Sequence, residues 1–551
     1  MTWPSDNPPS SRWPLYTRGN VGEVFPEVVN PLTWLLLGVE AERGWRLAYR
    51  DFGLLTRGDI DPDESMTILG VFGGYCYINA SLVRLLGVRT PGLSVDDVDT
   101  QNFGESDAPA YVERAGDKNW RSSARIVRSA ARTLTARSLP QLQEDKIAVR
   151  QLIAGAPTAE ASDERILGFL HGYALMFREL FRHHLLITTQ ATVSSGLVAD
   201  LCADKLDDPG LALTLMGGIG EVESAGPAAA MWKLSRMGEA EYDEALPGFL
   251  ADFGSRGPNE WDLASPTWEL RPELVHAAVD RMRGANAAND PSLKAHEMRQ
   301  RREEATASAR GRLGRADRLV FDRALASLAL FSQGRERSKT TVIRSLHEAR
   351  KAVILLTERA RNKGGIESFA DVCVLTPDEF EGYVQSPAEY VGTIEERAAE
   401  RDRLNGLVPP FIVEGDPPSP DTWAARGAAI ELVQQGDVLT GIGGCAGVSE
   451  GRARVVLDAG EPGDIGPGDV LVAPITDPSW TPLFTVVEGV VVDVGAVLSH
   501  AVIVSRELGI PCVVSVANAT GAIPDGALIR VDGGAGTVEV LELPDDWVAF
   551  R

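Results

Sequence analysis

The sequence is short of positive charge. Lys and Arg together number 54 against 78 Asp and Glu, which gives a formal net charge of −24 at pH 7. A chain that binds nucleic acid or an anionic membrane through its overall charge needs the opposite balance, because phosphate groups attract basic surfaces. We therefore expect neither nucleic acid nor a membrane among its partners, and any basic site must be a local cluster.

Cysteine and long apolar runs are also scarce. The five cysteines, Cys76, Cys202, Cys373, Cys445 and Cys512, are scattered and include no Cys-x-x-Cys pair. The sequence therefore indicates neither a disulfide framework nor a zinc site, and no metal site is predicted. No run approaches the ~18 to 20 apolar residues of a membrane span, and the N-terminus has no signal-peptide pattern. We expect a cytoplasmic protein.

The chain is nevertheless long and apolar enough to bury large cores, with 551 residues of which 44% are hydrophobic. Residues 1–410 alternate periodic apolar segments with Gly and Pro clusters, which predicts a large, mostly α-helical domain. Its clearest helix runs from Arg315 to Lys363, where Gly364 and Gly365 supply a stop signal.

A change of composition predicts a second domain. The stretch EGDPPSPD, from Glu414 to Asp421, cannot continue a helix or a strand, so we predict a linker over residues 411–435. Residues 436–545 then contain short β-branched runs separated by Gly, Pro and Asp, with at least one helical segment among them. The predicted fold is therefore multidomain: a large helical domain followed by a small C-terminal α/β module.

The most informative stretch of this module is GVVVDVGAVLSHAVIVSRELGIPCVVSV, from Gly489 to Val516. A buried strand and a short loop lead to Ser499 at the N-cap position of a helix and to His500 at its start. A histidine there is pushed towards its neutral, nucleophilic form, and a phosphoryl group on it would lie beside unpaired N–H donors. On position alone, a polar residue that merely completes the cap is the commoner explanation.

The same stretch carries a family resemblance. GAVLSHAVIVSRELGIPCVV, with the flanking segments GCAGVSEGRARVV, GDVLVAPITDPSWTPLF and IRVDGGAGTVEVL, resembles the phosphohistidine swivelling domain of the phosphoenolpyruvate (PEP)-utilizing enzymes. This family includes PEP synthase, pyruvate phosphate dikinase and rifampicin phosphotransferase. Its phosphoryl-accepting histidine matches His500, so the resemblance implies a phosphohistidine intermediate in this chain.

Four segments of the helical domain resemble the acceptor-binding domain of rifampicin-phosphotransferase-type proteins: RGNVGEVFPEVVNPLTW, FGGYCYINASLV, FGSRGPNEWDLASPTW and GGIESFADVCVLTPDEF. In that family an Arg-Glu-x-x-Lys motif on a long helix serves the transfer site. Here RERSK supplies Arg335 and Lys339 at that spacing. Residues four apart share a helix face and could hold a moving phosphoryl group between two cations. A solvated charged turn is the alternative.

Four further residues are candidates for binding the acceptor. Arg256 and Glu260 come from the third of these segments, and Asn20 and Glu23 from the first. Ordinary packing contacts are an equal alternative for all four. The family often has a histidine before the arginine, where this chain has Ser255, so deprotonation of the acceptor must be assigned to another group.

Two other sequence patterns do not indicate a functional site. His183 and His184 are neighbours on a predicted helix and therefore point to different faces, which is poor geometry for a shared metal. Residues 447–451 match Gly-x-Ser-x-Gly, but the strand-like run RARVVL follows the serine where a hydrolase would need a helix.

A nucleotide-binding region is not recognisable in the sequence. It contains no Walker A motif, and no region resembles the ATP-grasp domain of single-chain family members. We therefore expect a separate ATP-grasp partner subunit that holds Mg²⁺ and ATP, with no cofactor bound stably by this chain. By the family pattern, the partner phosphorylates His500 with release of AMP and phosphate, and Arg335 and Lys339 stabilise the group in transfer.

The acceptor is expected to be a small molecule with a hydroxyl group. The split arrangement resembles two-component aryl phosphate synthases of aromatic compound degradation, such as phenylphosphate synthase, which suggests a phenol or alkylphenol. Phe72, Tyr75, Tyr77 and Trp261 could line such a pocket or could equally belong to the core. The alternatives are an antibiotic or natural-product alcohol, pyruvate as in PEP synthase, or a non-enzymatic phosphocarrier or scaffold.

Overall fold

A computed structural model describes residues 2–61, 64–96, 98–99, 109–220, 226–426, 432–460, 462–495 and 499–544. Helix accounts for 55% of it, and a sheet-rich C-terminal domain follows a helical body. The predicted fold class is therefore confirmed. Residues 427–431 of the predicted linker and residue 545 of the predicted module lie outside the described residues.

Long helices dominate the middle of the body. In chain order, its described helices are α1 (Val21–Val24), α2 (Pro31–Thr33), α3 (Val39–Phe52), α4 (Ala80–Val83), α5 (Leu85–Arg89), α6 (Trp120–Thr135), α7 (Pro140–Ala154), α8 (Asp163–Leu206), α9 (Leu211–Met216), α10 (Gly226–Ser235), α11 (Glu239–Phe253), α12 (Pro272–Arg283), α13 (Pro291–Arg312), α14 (Arg315–Arg361), α15 (Phe369–Val372), α16 (Pro377–Gln385) and α17 (Val391–Asn405). A π-helical segment, Trp34–Gly38, joins α2 to α3.

The core of the body forms where α8 packs along both α3 and α14. The predicted helix from Arg315 is confirmed as α14 and ends at Arg361. Glycine lets α3 and α8 approach closely: a Cβ on Gly44 would lie 2.6 Å from the backbone oxygen of Arg178. The two helices therefore meet backbone to backbone at this point.

Helix α8 is the one described helix whose length and composition would also suit a membrane span, with a mean hydropathy of 1.3 over its most apolar window. The apolar-run criterion applied to the sequence did not single it out. Its Tyr173, Phe177 and Leu180 are buried in the large core shared with α3 and α14. Packing within the protein therefore explains much of its apolar character.

A small antiparallel sheet lies within the body, and the sequence analysis missed it. Its strands are β1 (Leu15–Thr17), β2 (Leu69–Phe72), β3 (Tyr75–Asn79) and β5 (Ile412–Glu414), in the order β2-β3-β1-β5. A separate pair is formed by β4 (Leu407–Val408) and β6 (Ala424–Ala425). Strands β1, β2 and β3 are short and buried at every position, so they lack the alternation that marks a half-buried strand.

The predicted linker begins inside this sheet, because β5 pairs with β1. The proline-rich stretch beyond it is also attached to the body. The Trp423 ring lies 5.9 Å from that of Tyr75, and the Arg426 N–H donates to the carbonyl of Gly406 at 2.8 Å. On the other side, the Val433 N–H donates to Ala522 of the module at 3.3 Å. The chain is thus held by the body as far as Arg426 and by the module from Val433.

The C-terminal module is built on an eight-stranded sheet. Its elements are β7 (Val438–Thr440), β8 (Ile442–Cys445), β9 (Val448–Val455), β10 (Asp469–Ala473), α18 (Thr481–Phe484), β11 (Gly489–Val492), α19 (His500–Leu508), β12 (Cys512–Val514), α20 (Ala519–Ala522), β13 (Leu528–Asp532) and β14 (Thr537–Glu542). The strand order is β7-β14-β13-β9-β10-β11-β12-β8. Strands β9 to β12 are parallel and the outer strands are antiparallel.

The two faces of the module's sheet bury different partners. Val470 and Val472 of β10 face a cluster that includes residues of α20. Leu471 and Ala473, on the other face, belong to a cluster that contains α18 and α19 and also residues of the body helices α10, α11 and α12. Helix α18 contacts α10 and α12 directly. The module is therefore docked on the body through a shared apolar core.

Candidate active site

His500 lies at the start of α19, as predicted. The Ser499 Oγ caps the helix by accepting a hydrogen bond from the Val502 N–H at 3.4 Å. The helix ends at Gly509, whose φ of 66° suits a residue without a side chain. Since β11 and β12 are parallel neighbours, α19 is the crossover of a β-α-β unit that presents His500 at one edge of the sheet.

Two threonine hydroxyls hold the His500 ring from both sides. Its Nδ1 lies 3.1 Å from Thr476 Oγ1, and its Nε2 lies 3.2 Å from Thr481 Oγ1. The Phe484 ring meets the imidazole edge-on at 5.9 Å between centroids. A hydroxyl can donate or accept, so both tautomers of the neutral ring can be satisfied while its orientation stays fixed.

The surroundings of His500 keep it neutral. Burial is the largest cause that lowers its pKa well below 6.5, and the positive charges of Lys339 and Arg256 lower it further, while Glu336 opposes them. A neutral imidazole has a lone pair on one ring nitrogen, which is the form that attacks phosphorus. Because Lys339 and Arg256 belong to the body, docking itself contributes to this effect.

Arg335 and Lys339 lie on α14 as predicted, and each faces a carboxylate. Arg335 Nη2 donates to Glu336 Oε1 at 3.0 Å, and Lys339 Nζ is 3.1 Å from Glu260 Oε1. Burial would raise the pKa of Glu336, but Arg335 and Lys339 lower it to about 2. Arginine has five N–H donors and lysine three, so both cations retain donors for a further anion.

Arg256 and Glu260, predicted as a pair, do come together. Arg256 Nε lies 3.2 Å from Glu260 Oε2, and both residues are buried. The Glu260 carboxylate therefore sits between Arg256 and Lys339. Buried Arg350 fixes the loop that carries it, because its Nη2 donates to the carbonyls of Glu260 and Asp262 at 2.9 and 2.8 Å.

A polar contact attaches the module to this same loop. The Asn259 N–H donates to Asp477 Oδ2 at 2.9 Å, and Ser479 N–H and Oγ donate to Asp477 Oδ1 at 2.8 and 2.5 Å. Burial raises the pKa of Asp477. Asp477 follows Thr476, which contacts His500, so one short segment both orients the histidine and meets the loop of Arg256 and Glu260.

The sequence analysis assigned no role to several residues that form the site. Thr476, Asp477 and Thr481 lie in the quoted segment GDVLVAPITDPSWTPLF. That segment begins with β10, which runs parallel to β11, so its polar residues and the loop before His500 leave the same sheet edge. That relation depends on the strand pairing and is not visible in the sequence pattern. His184 had been considered only as a metal ligand; burial, with Arg335 and Lys339, lowers its pKa to about 3.

The N-terminal segment contacts the loop that carries Glu260 and Asp262, but through residues other than the predicted Asn20 and Glu23. Asn30 Nδ2 and Thr33 Oγ1 donate to the two carboxylate oxygens of Asp262 at 2.9 and 2.7 Å. Asn20 is exposed, with a φ of 69°, and Glu23 is partly buried in the first turn of α1. Their role in binding an acceptor stays a prediction.

The aromatic candidates divide into two groups. Phe72, Tyr75 and Tyr77 are buried in the small sheet of the body, and the Tyr75 and Tyr77 hydroxyls donate to the carbonyls of Leu404 and Pro410 at 2.9 Å. These three belong to the core. Trp261 is buried in the same large core, but its ring lies 6.2 Å from that of His184, beside the site.

No group of three or more His, Cys, Asp and Glu residues in the described part of the chain is arranged to hold a metal ion. The cationic side chains of the site instead favour an anion, and a neutral histidine faces them. The arrangement can therefore bring a phosphoryl group on His500 close to Arg256 and Lys339.

Comparison with known families agrees with this geometry. Residues 465–536 match the model of the PEP-utilising enzyme, mobile domain. This range contains β10 to β13, the Thr476–Thr481 segment and His500. The C-terminal module is similar to this family over that range and is called the mobile domain below. Residues 237–336 match the rifampicin phosphotransferase fourth domain, which places Arg256, Glu260 and Arg335 within a second family match.

Curated relatives resemble part of the chain. A rifampicin phosphotransferase of Streptomyces sviceus is 31% identical over 55% of this chain and 35% of its own length. The rifampicin phosphotransferase of Bacillus subtilis is 30% identical over the same shares. The prodigiosin synthesizing transferase PigC of Serratia marcescens is 29% identical over 54% of this chain and 34% of its own. The chain thus spans about a third of the length of the curated relatives it matches.

The two family matches meet at the docking surface. The fourth-domain match covers α11, α12, α13 and the beginning of α14, and α11 and α12 share an apolar cluster with the mobile domain. The match ends at residue 336, before Lys339. The predicted resemblance to PEP-utilizing enzymes and rifampicin phosphotransferases is supported on both sides of the site.

Proposed function

We propose that this chain is the phosphocarrier and acceptor-binding subunit of a phosphotransferase. The observation that carries the proposal is His500 of the mobile domain. Its pKa is held well below 6.5, its ring is held by Thr476 and Thr481, and it faces cations of the body. The rifampicin phosphotransferase relatives support the same class of reaction.

In the first step, a ring nitrogen of neutral His500 attacks a phosphoryl group of ATP on a separate ATP-grasp subunit. We propose a dikinase reaction, in which ATP and water yield phosphohistidine, AMP and phosphate. The partner would hold ATP with Mg²⁺. For this step the mobile domain leaves the docked position, and because the body holds the chain as far as Arg426, it would pivot beyond that residue.

In the second step, the docked mobile domain delivers the group. The acceptor hydroxyl oxygen attacks phosphorus, the N–P bond breaks, and the hydroxyl gives up its proton as His500 returns to its neutral form. Arg335 and Lys339 stabilise the negative charge on the phosphoryl oxygens during transfer. Their ion pairs with Glu336 and Glu260 hold them in place beforehand, so little reorganisation is needed.

For the acceptor we propose a phenol or alkylphenol, which makes the product an aryl phosphate. Trp261, next to His184 and Phe181, supplies an aromatic surface beside the site. An antibiotic or natural-product alcohol is the second candidate, because two of the relatives named above are rifampicin phosphotransferases.

The test combines the chain with a candidate ATP-grasp partner and ATP labelled at either the β- or the γ-phosphoryl group. We expect acid-labile label on the wild type from one of the two positions only, with AMP formed in equal amount. His500→Ala should lose the label. His171→Ala, which removes an exposed histidine of the body, is the matched control and should keep it.

Addition of acceptors then separates the candidates. A panel of phenols, rifampicin and pyruvate is offered to the labelled protein, and label should move to a phenol. Transfer to rifampicin alone would select the second candidate, and label that survives every small acceptor would favour a carrier. Label that persists on His500→Ala would falsify the phosphohistidine assignment.

A further inference from the structure

A second cleft lies in the body, on another face of α14 from Lys339. It measures about 350 Å³ and is enclosed by α7, α14, the end of α11 and Arg256. This volume falls within the range of pockets that hold small organic molecules. Arg256 connects the two regions, since it contacts the cleft and also pairs with Glu260 of the active site.

The charge of this cleft is opposite to that of the chain. Lys146, Arg150, Arg256 and Arg344 line it against one acidic residue, Asp252. Like charges that face one another repel, and Lys146 and Arg150 also lie four residues apart on one helix face. In a protein with a net charge of −24, such a concentration of cations points to an anionic ligand.

Two arginines of the cleft, Arg344 and Arg256, have donors that are not fully used by the described residues. Arg344 Nη2 donates to the backbone carbonyl of Asp252 at 2.6 Å, but its distance to the Asp252 carboxylate is 3.9 Å. Arg256 is 3% exposed, and its Nη1 makes no hydrogen bond to any described residue. A buried N–H group without an acceptor costs free energy that a bound anion recovers.

Two threonines, Thr340 and Thr341, and three apolar residues complete the lining. Val149 and Ile153 lie on α7, which also carries Arg150. Phe253 is the last residue of α11 and also lines the cleft. Ile153 is 41% exposed, so this wall is open to a ligand. An inorganic anion alone would leave it uncovered, whereas an organic acid would cover it.

We propose that this cleft binds a small organic acid, with its carboxylate or phosphate group between Arg150, Arg256 and Arg344 and its apolar part against Phe253 and Ile153. The site shares Arg256 with the active site but does not include His500, and the proposal does not depend on phosphoryl transfer. A carboxylate and a phosphate monoester share the required chemistry, and the experiment distinguishes them.

Binding to the unmodified chain is measured by isothermal titration calorimetry with four probes: benzoate, phenyl phosphate, inorganic phosphate and neutral benzyl alcohol. We expect saturable binding of benzoate, phenyl phosphate or both, at least tenfold tighter than that of benzyl alcohol. Arg150→Ala and Arg344→Ala should each weaken it roughly tenfold, as expected for the loss of one charge-assisted hydrogen bond. Binding should also weaken with added salt.

Two matched variants locate the site. Arg323→Ala removes the same charge from an exposed position of α14 and should leave the affinity unchanged, as should His500→Ala. Circular dichroism confirms that each variant is folded. The proposal is overturned if neither organic acid binds saturably, if benzyl alcohol binds as well as they do, or if Arg150→Ala and Arg344→Ala both retain full affinity. Binding of phenyl phosphate without benzoate would identify the ligand as a phosphate ester.

Discussion

His500 keeps a lone pair at neutral pH because burial, Lys339 and Arg256 all act on its ring in the same direction. Lys339, one of the two cations proposed to stabilise a phosphoryl group in transfer, therefore also prepares the nucleophile. In the proposed phosphohistidine the interaction changes sign, because the phosphoryl oxygens are negative and attract Lys339 and Arg256. One pair of charges thus favours both the neutral histidine and the docked phosphohistidine.

This balance predicts a measurable titration. In the chain labelled at histidine carbons and nitrogens, nuclear magnetic resonance should show the His500 pKa well below 6.5. Lys339→Gln should raise the His500 pKa, because it removes a positive charge that disfavours the imidazolium. Lys363→Gln, two residues beyond the C-terminal end of α14, is the control and should not change the His500 pKa.

The opposite outcome is equally clear. A His500 pKa near 6.5 in the wild type, or one that is unmoved by Lys339→Gln, would contradict the docked arrangement of the site.

Since the folded-state pKa of His500 lies below its unfolded-state pKa, the unfolded chain takes up a proton first as pH falls below 6.5. His500 therefore lowers the free energy of unfolding progressively below that pH, and contributes no such loss above it.

How far the sequence specifies the site is visible in individual residues. His500, Arg335 and Lys339 could be proposed because each lies in a short motif that resembles one of the PEP-utilizing enzymes, and the resemblance implies its role. Thr476 and Asp477 could not, because their roles depend on which strand ends meet at one sheet edge and on which loop of the body receives them. Asn30 and Thr33 escaped notice for the same reason.

At the scale of elements, the contact between α3 and α8 depends on a glycine. A Cβ at Gly44 would lie 2.6 Å from Arg178 O and 3.2 Å from Arg182 N, and both are backbone atoms that cannot rotate away. Gly44→Ala should therefore destabilise the protein by about 1–3 kcal/mol, the usual cost of overpacking, although alanine has the higher helix propensity.

Gly172→Ala in α8 is the control for this prediction. A Cβ at Gly172 would meet nothing within 4 Å, so the substitution should be neutral or stabilising by up to about 1 kcal/mol. Both variants are compared with the wild type by denaturant unfolding at one temperature. Equal effects at the two positions would show that α3 and α8 do not approach as closely as described.

Elements differ in how well the sequence predicts them. Helix α14 has a long 3.6-residue periodicity and a glycine stop, and its prediction is confirmed almost to the residue. Strands β1, β2 and β3 are too short and too uniformly buried to show a period. The sequence likewise did not predict what packs against the apolar faces of α10 to α12. An apolar face indicates that a helix is covered, but it does not identify the element that covers it.

For the whole molecule, docking of the mobile domain on α10 and α12 is an apolar contact that has to open for the proposed first step. Leu483 in α18 is 2% exposed within that contact. Leu483→Asp should weaken docking, because it places a charge in the shared core. Small-angle X-ray scattering should then give a larger radius of gyration, and transfer from phosphohistidine to the acceptor should fall at least tenfold.

Leu457→Asp, at a mobile-domain position that is 69% exposed, is the control and should change neither quantity. Phosphorylation of His500 by the partner should be unaffected or faster in Leu483→Asp, provided that circular dichroism shows a folded mobile domain. If the radius of gyration stays at the wild-type value, the docked position does not depend on this apolar contact.

The points of attachment at Arg426 and Val433 set the geometry of the whole cycle. Seven residue steps separate them, and at full extension these span at most about 25 Å. An undocked mobile domain is therefore a tethered ligand whose local concentration at its own body stays in the millimolar range. A weak contact is then sufficient for return, and the proposed phosphoryl donor has to bring its own active site within the reach of His500, which is set by this linker and by the size of the mobile domain.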